Sequence, residues 1–272
     1  MIKVAIVGAA GRMGRTLVAE ILRDPELSLS GALEYSACPL LGEDAGLLAG
    51  ESVCGVKLSC DIEAVLAQSD AAIDFSSPQA TMAFAPRAAA AGVHLVVGTT
   101  GLSPEQKDSL RELTKNAAHI VCAPNMSIGV NLLFALCAKV APILGEDYDI
   151  EVIEMHHNQK KDAPSGTAER LGEILARARD LNYAADTRHG RVGLVGARSK
   201  KEIGMHSLRG GDVVGDHTVI FATQGERLEL THKASSRETF AKGALRAVKF
   251  LKNSKAGFYD MQDVLGLHGH TD

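Results

Sequence analysis

The sequence predicts an α/β protein in which a parallel, helix-covered sheet in the N-terminal half is joined to a second, α+β domain containing a mostly antiparallel sheet. Three observations carry this. Short β-branched and apolar runs alternate with helical stretches over the first 126 residues, the order that lays strands side by side beneath helices. After Asn125 the alternation stops, and the later strands follow one another without helices between them. Those strands alternate polar and apolar residues, as in an antiparallel sheet with one covered face.

In chain order, strands are expected at 3–7, 27–33, 56–58, 71–75, 94–97 and 120–123, with helices at 13–23, 62–68, 79–91 and 104–117. Ser77 before Pro78 and Ser103 before Pro104 each place a capping hydroxyl ahead of a proline at the first helical position. Pro86 conflicts with its helix and should kink or restart it. In the second half a helix is expected at 128–140, a strand at 149–155, a helix at 166–178, and strands at 203–207, 217–222 and 226–233. An amphipathic helix at 237–251 should return to the first domain, and the polar stretch 180–201, without period, reads as a loop. The resulting domains are 1–126, completed by 237–272, and 127–236.

With 272 residues and 46% apolar side chains, the chain can bury a sizeable core. Cys38, Cys54, Cys60, Cys122 and Cys137 are odd in number and form no C-x-x-C pair, so reduced thiols are expected rather than a disulfide framework. A net charge of −4 and 4% aromatics supply neither a basic footprint nor a stacking platform for nucleic acid. The ten histidines form no H-x-x-x-H pair, and no metal site is expected. Glycine arrives at position 8, too early for a secretory apolar region, and no later run was expected to approach the roughly 20 residues of a membrane span. A cytoplasmic protein, without nucleic-acid or membrane partners, is expected.

Directly after the first strand stands Gly8-Ala9-Ala10-Gly11-Arg12-Met13-Gly14. Glycines allow the tight turn and close backbone approach to a pyrophosphate, and the following helix offers its positive end to the same anion. Three glycines alone make only a turn; the strand before them and the helix after them make this a Rossmann-like dinucleotide-binding unit. Glu34 follows Gly14 by 20 residues at the end of the second strand, where a carboxylate can accept the ribose hydroxyls of NAD. Tyr35 comes next in place of an arginine for a 2′-phosphate, so NADH is expected to be preferred, with NADPH possible. Gly98-Thr99-Thr100-Gly101 and Ala123-Pro124-Asn125-Met126 lie at strand C-termini, where open sheets of this kind bind ligands.

A second segment packs cations ahead of a capped helix: Glu154-Met155-His156-His157-Asn158-Gln159-Lys160-Lys161-Asp162-Ala163-Pro164-Ser165-Gly166-Thr167. Ser165 is a natural N-cap, leaving the amides of Gly166 and Thr167 in the first turn to face an anion. A hydrophilic loop before an ordinary cap is the plainer account, but paired histidines and lysines beside a glycine at the helix start favour an anionic substrate. Such cations would also stabilise negative charge developing on a bound substrate.

This segment resembles the signature E-x-H-H-x-x-K-x-D-x-P-S-G-T of dihydrodipicolinate reductases, every fixed position being present. The Gly8 to Gly14 turn, Val97-Gly98-Thr99-Thr100-Gly101, Asn125 with Ser127 and Gly129, and Thr231-His232-Lys233-Ala234-Ser235-Ser236-Arg237 are similar to further family segments. The resemblance implies hydride transfer from NAD(P)H to a cyclic imine dicarboxylate of lysine biosynthesis. It implies His156 and Lys160 as the acid/base pair and His157, Lys160, Gly166 and Thr167 as substrate contacts. Cofactor contacts would fall on Gly8, Ala9, Ala10, Gly11, Arg12, Met13, Glu34, Gly98, Thr99, Thr100, Ala123, Pro124, Asn125 and Met126. A homotetramer is implied as well, with the second domain binding substrate and mediating assembly. A cleft between two domains must shut to exclude water before hydride transfer, so hinges are expected near 126–127 and 237–238. Two departures, Tyr35 where relatives carry arginine after the glutamate and Ser77 where a second arginine is common, weaken the case for NADPH. Competing readings are a cysteine-dependent semialdehyde dehydrogenase using Cys122 and a non-catalytic NAD-sensing module.

Overall fold

The computed structural model describes residues 1–267, so the last five residues of the expected 237–272 segment lie outside the described residues. The chain divides into two compact units, Met1–Ile128 with the segment from Arg237 onward, and Gly129–Ser236.

The first unit opens with β1 (Ile2–Val7), α1 (Arg12–Arg23), β2 (Leu27–Leu33), α2 (Ala45–Leu48), β3 (Leu58–Ser59), α3 (Ile62–Leu66), β4 (Ala71–Asp74), α4 (Pro78–Ala90), β5 (His94–Val97), α5 (Pro104–Leu113) and β6 (His119–Cys122). The second unit contributes α6 (Ile128–Leu144), β7 (Asp149–His156), α7 (Gly166–Ala178), α8 (Tyr183–Asp186), β8 (Thr187–His189), β9 (Ile203–Arg209), β10 (Gly215–Thr223) and β11 (Glu226–Ala234). The chain then supplies the first unit with α9 (Glu238–Leu251), β12 (Gly257–Tyr259) and α10 (Met261–Leu265).

The first sheet runs β12-β6-β5-β4-β1-β2-β3, with every pairing parallel. Strand order reverses between β1 and β4, and the crevice at their C-terminal ends is where such sheets accept ligands. Val4, Ile6, Ile73, Val96 and Val121 form one buried face, against which α1 packs Leu17, Val18 and Ile21 and α9 packs Ala241, Ala244, Ala247, Val248 and Leu251. Small residues on α9 allow close approach; a Cβ on Gly243 would lie 1.7 Å from the Met126 carbonyl oxygen.

The second sheet runs β11-β10-β7-β9-β8. β10 pairs antiparallel with β11 and β7, while β7–β9 and β8–β9 are parallel; the sheet is mixed, with the longer register antiparallel. Ile150, Val152, Ile203, Met205, Val219 and Phe221 meet Val130, Phe134 and Cys137 of α6 and Leu171 and Leu175 of α7 in one core.

The structure corrects the sequence reading in several places. α4 runs unbroken through Pro86; that residue is exposed, so the carbonyl its missing N–H cannot serve lies on the solvent side. The stretch expected as a loop at 180–201 contains α8 and β8, and β8 pairs with β9 in parallel. Ile128–Asp147 is long and apolar enough to cross a membrane by composition and length, against the expectation that no run came close. One face of that helix packs Val130, Leu133, Phe134, Cys137 and Ala141 into the second unit's core, so apolar length and core packing coincide. Ser77 and Ser103 do cap their helices, Ser103 in a reciprocal capping box with Gln106.

Candidate active site

In the first unit the glycine turn is built from both sides. Gly8 has φ +79°, a left-handed conformation that costs glycine nothing. A Cβ on Gly14 would stand 2.1 Å from the Gly8 carbonyl oxygen, so α1 can start this close to β1 only without a side chain there. The turn consumes its own first amides. Gly8 and Ala9 N–H donate to the Leu33 carbonyl, Gly11 N–H to the Gly8 carbonyl, and Ala10 N–H to Glu34 Oε1 at 2.8 Å. The expectation that backbone N–H groups throughout the turn greet an anion is thereby narrowed. Gly11 caps α1 with no side-chain hydrogen bond, and the first amides of the helix, those of Arg12, Met13 and Gly14, are the donors left without an intrahelical acceptor.

Beside the turn, Met13, Phe75, Ser76, Gly98, Thr99, Thr100, Pro124, Asn125, Met126, Arg237 and Phe240 line a cavity of about 340 Å³. Gly98 is demanded by the Phe75 ring, which would lie 2.2 Å from a Cβ. Asp74, fully buried at the end of β4, joins the two walls: its Oδ1 accepts from Ser76 N–H at 2.9 Å, from the Ser76 hydroxyl at 2.5 Å and from the Thr99 hydroxyl at 3.2 Å. Burial pushes its carboxyl above the ordinary range, partly offset by those bonds. Asn125 Oδ1 accepts from Ser127 N–H at 2.9 Å, bracing the last loop. Cys122 sits at the end of β6, and burial pushes its thiol up to about 11, a poor setting for the nucleophile of a semialdehyde dehydrogenase.

The second unit assembles the histidine and lysine segment at the end of β7. Along that strand the inward positions are Ile150, Val152, Glu154 and His156, so a carboxylate and an imidazole occupy the apolar phase. His156 Nδ1 lies 2.6 Å from Glu154 Oε2, and Arg209 from β9 grips both oxygens of Glu154 at 2.9 Å. His217, across the ladder from Glu154, stacks edge-on to His156 with ring centroids 5.2 Å apart. Burial, with a smaller contribution from the neighbouring His156, holds His217 down at about 3. It is neutral, and its Nε2 meets the Ser165 hydroxyl at 3.3 Å.

The following loop is pinned by backbone. His157 N–H donates to Val213 O at 2.7 Å, Asn158 N–H to Gly211 O at 3.2 Å, and Lys160 N–H to His157 O at 3.1 Å. Lys160 Nζ holds both oxygens of Asp162, at 3.0 and 2.9 Å, and the lysine carboxylate pair keeps Asp162 below the usual range. Ser165 caps α7 through Ala168 N–H at 3.2 Å, with Gly166 and Thr167 following in the first turn. Among the described residues, nothing lies within 4 Å of a Cβ placed on Gly166. His156, His157, Lys160, Gly166 and Thr167 therefore share one end of the second sheet. The residues expected at the cofactor, from Gly8 to Met13, Glu34, Gly98 to Thr100 and Ala123 to Met126, share the C-terminal edge of the first.

The two halves also match family models described as the N-terminus of dihydrodipicolinate reductase, over residues 2–126, and its C-terminus, over residues 129–265. The chain belongs to the dihydrodipicolinate reductase family. Curated relatives named 4-hydroxy-tetrahydrodipicolinate reductase are 48% identical in Syntrophotalea carbinolica, over 98% of this chain and 100% of the relative, and 50% identical in Nitrosomonas europaea, over 98% of each. A solved dipicolinate-bound dihydrodipicolinate reductase from a Paenisporosarcina species matches with TM-score 0.78 at 24% identity, covering 97% of this chain and 98% of that one. At that identity the match speaks for the fold. Members of the dihydrodipicolinate reductase family are NAD(P)H-dependent oxidoreductases.

Sequence reasoning passed over five polar residues of this dihydrodipicolinate reductase fold: Glu154 as a functional group, Arg209, His217 and the pair Asp74 and Ser76. Glu154 was legible, since it falls in phase with Ile150 and Val152 on an alternating strand. Arg209 and His217 were not, because only strand register brings them to β7. Arg237 and Phe240 reach the first cavity from a distant stretch of chain, through the packing of α9.

Proposed function

We propose that the chain reduces a cyclic imine dicarboxylate to tetrahydrodipicolinate, the 4-hydroxy-tetrahydrodipicolinate reductase reaction of the diaminopimelate route of lysine biosynthesis, in the cytoplasm and as a homotetramer. In this reading 1–126 with 237–272 hold the cofactor, and 127–236 hold the substrate and mediate assembly. The observation that carries it is the convergence in one unit of a buried imidazole, a backbone-pinned lysine and an open helix start. Those are the groups needed to protonate a ring nitrogen while holding a carboxylate.

The first unit fits a nicotinamide dinucleotide. The amides of Arg12 and Met13 stand at a helix end with no side-chain cap, Glu34 retains one carboxylate oxygen beyond the bond from Ala10, and the adjacent cavity is walled by Gly98, Thr99, Thr100, Asn125 and Met126. When bound, the reduced nicotinamide supplies the hydride. The helix start of α1 holds the pyrophosphate, Glu34 orients the ribose, and the wall contributed by Asp74, Ser76 and Thr99 fixes the loops around the ring.

In the second unit, Gly166 and Thr167 amides and the dipole of α7 hold a substrate carboxylate, joined by His157. Lys160 carries the proton destined for the ring nitrogen, and His156 resupplies it. Asp162 holds the Lys160 side chain in place until a dianionic ligand competes for it. The test is a comparison of wild type and Lys160→Ala with freshly generated substrate and either cofactor. Loss of the donor lowers kcat by roughly 10² to 10⁴, with KM for NADH unchanged; an alanine variant with wild-type turnover sinks the mechanism.

NADH is the preferred cofactor in this proposal. Tyr35 is 65% exposed beside Glu34 and offers no planar cation for a 2′-phosphate.

A further inference from the structure

Glu154 is 1% exposed, yet its carboxylate is fully engaged. Oε1 accepts from Arg209 Nη2 at 2.9 Å and from the Ser165 backbone N–H at 3.2 Å, while Oε2 accepts from Arg209 Nη1 at 2.9 Å and from His156 Nδ1 at 2.6 Å. Burial opposes its charge, but hydrogen bonds from His156, Arg209 and Ser207 outweigh burial and hold the carboxyl at about 2. An ionised carboxylate has acceptors and no donor, so all of these partners must bring the hydrogen. Nδ1 of His156 therefore carries a proton. Nε2, 3.1 Å from where a Cβ on Gly215 would stand, is the nitrogen left to exchange a proton with a ligand. Arg209 Nη2 also donates to the Asp162 carbonyl at 2.7 Å, on the residue whose side chain holds Lys160.

We propose that Glu154, clamped by Arg209, is the positioning residue that fixes His156 as its Nδ1–H tautomer and registers the α7 start and the Lys160 loop on the same carboxylate. The kinetic consequence rests on the reductase reading; the tautomer does not. A neutral isostere cannot replace it. In Glu154→Gln, placing the amide oxygen toward Ser165 and Arg209 Nη2 turns the NH₂ group toward Arg209 Nη1 and His156 Nδ1. The imidazole then relieves its side by moving its proton to Nε2. The opposite amide flip sets the NH₂ group against both Ser165 N–H and Arg209 Nη2, which is worse.

The experiment is ¹⁵N NMR of histidine-labelled protein above about pH 8, where ordinary imidazoles are neutral, together with steady-state kinetics. Wild type is expected to show the Nδ1–H form of His156. Glu154→Gln is expected to show the Nε2–H form, with kcat lowered roughly 10² to 10⁴-fold, the scale of losing proton transfer or of a mis-set tautomer, and KM for NADH within about two-fold. Wild-type protein with the Nε2–H form overturns the proposal even if the variant fails to fold. So does a variant that keeps both the wild-type tautomer and its turnover. Wild type with the expected tautomer but no reductase turnover would sink the proposed function and leave this assignment standing.

Discussion

Two glycines of the same chain are glycine for opposite reasons. A Cβ on Gly14 would collide with the Gly8 carbonyl at 2.1 Å, whereas one on Gly166 would meet nothing within 4 Å among the described residues. Internal packing explains the first and not the second, which is where the proposed function places a substrate carboxylate. Gly166→Ala is therefore expected to fold as well as wild type, with helix propensity favouring alanine by up to about 1 kcal/mol. Its KM for the imine substrate should rise roughly ten-fold, about 1.4 kcal/mol of lost binding, while KM for NADH stays put. Thermal melts and steady-state kinetics check this; an unchanged substrate KM would remove the carboxylate from this helix end. At Tyr35 charge decides. Tyr35→Arg brings a planar cation beside Glu34 and is expected to raise NADPH efficiency relative to NADH by roughly ten-fold. An unchanged ratio of the two kcat/KM values would count against placing the adenine ribose there.

The elements that could be read from the sequence are those whose own residues determine them. β2, β5 and α7 lie where apolar period and caps place them, because Leu27–Leu33, His94–Val97 and Gly166–Ala178 each carry a full period or a strong cap. β8 and β12, of three residues each, are too short for a period to register and exist as strands because β9 and β6 offer them parallel edges. Pro86 shows the converse, a strong local rule relaxed because its helix face meets water. The site follows the same division. The glycine turn and the loop from His156 to Thr167 are contiguous and legible, whereas Arg209 and His217 arrive by register alone. A polar residue in the buried phase of β7 was the available clue, since burying an ionised carboxylate is costly without donors.

Across the whole molecule, the carboxylates with shifted acidity pull stability in opposite directions with pH. Glu151 and Glu154 are both held at about 2, in each case because hydrogen bonds from arginine and histidine side chains outweigh burial: Arg191, His206 and Arg198 for Glu151, His156 and Arg209 for Glu154. A depressed carboxyl contributes stability that is complete above its ordinary value of about 4.5 and is lost as pH falls toward 2. Asp74 has the reverse sign, since burial raises it and its favourable state is the protonated one, so its contribution fades as pH rises. The two groups held at about 2 lie in Gly129–Ser236, where Asp162 is lowered as well, and the raised one in the first unit. Acid should therefore draw stability from the second unit, whose unfolded state binds extra protons at Glu151 and Glu154 between about pH 4.5 and 2. Glu151→Gln isolates one of them without touching His156. Urea-dependent hydrogen exchange at the β7 and β10 amides is expected to show the variant less stable than wild type at pH 6, with the gap closing as pH falls toward 2. A gap that stays constant over that range would mean that the Glu151 network with Arg191, Arg198 and His206 does not depend on the charge of its carboxylate.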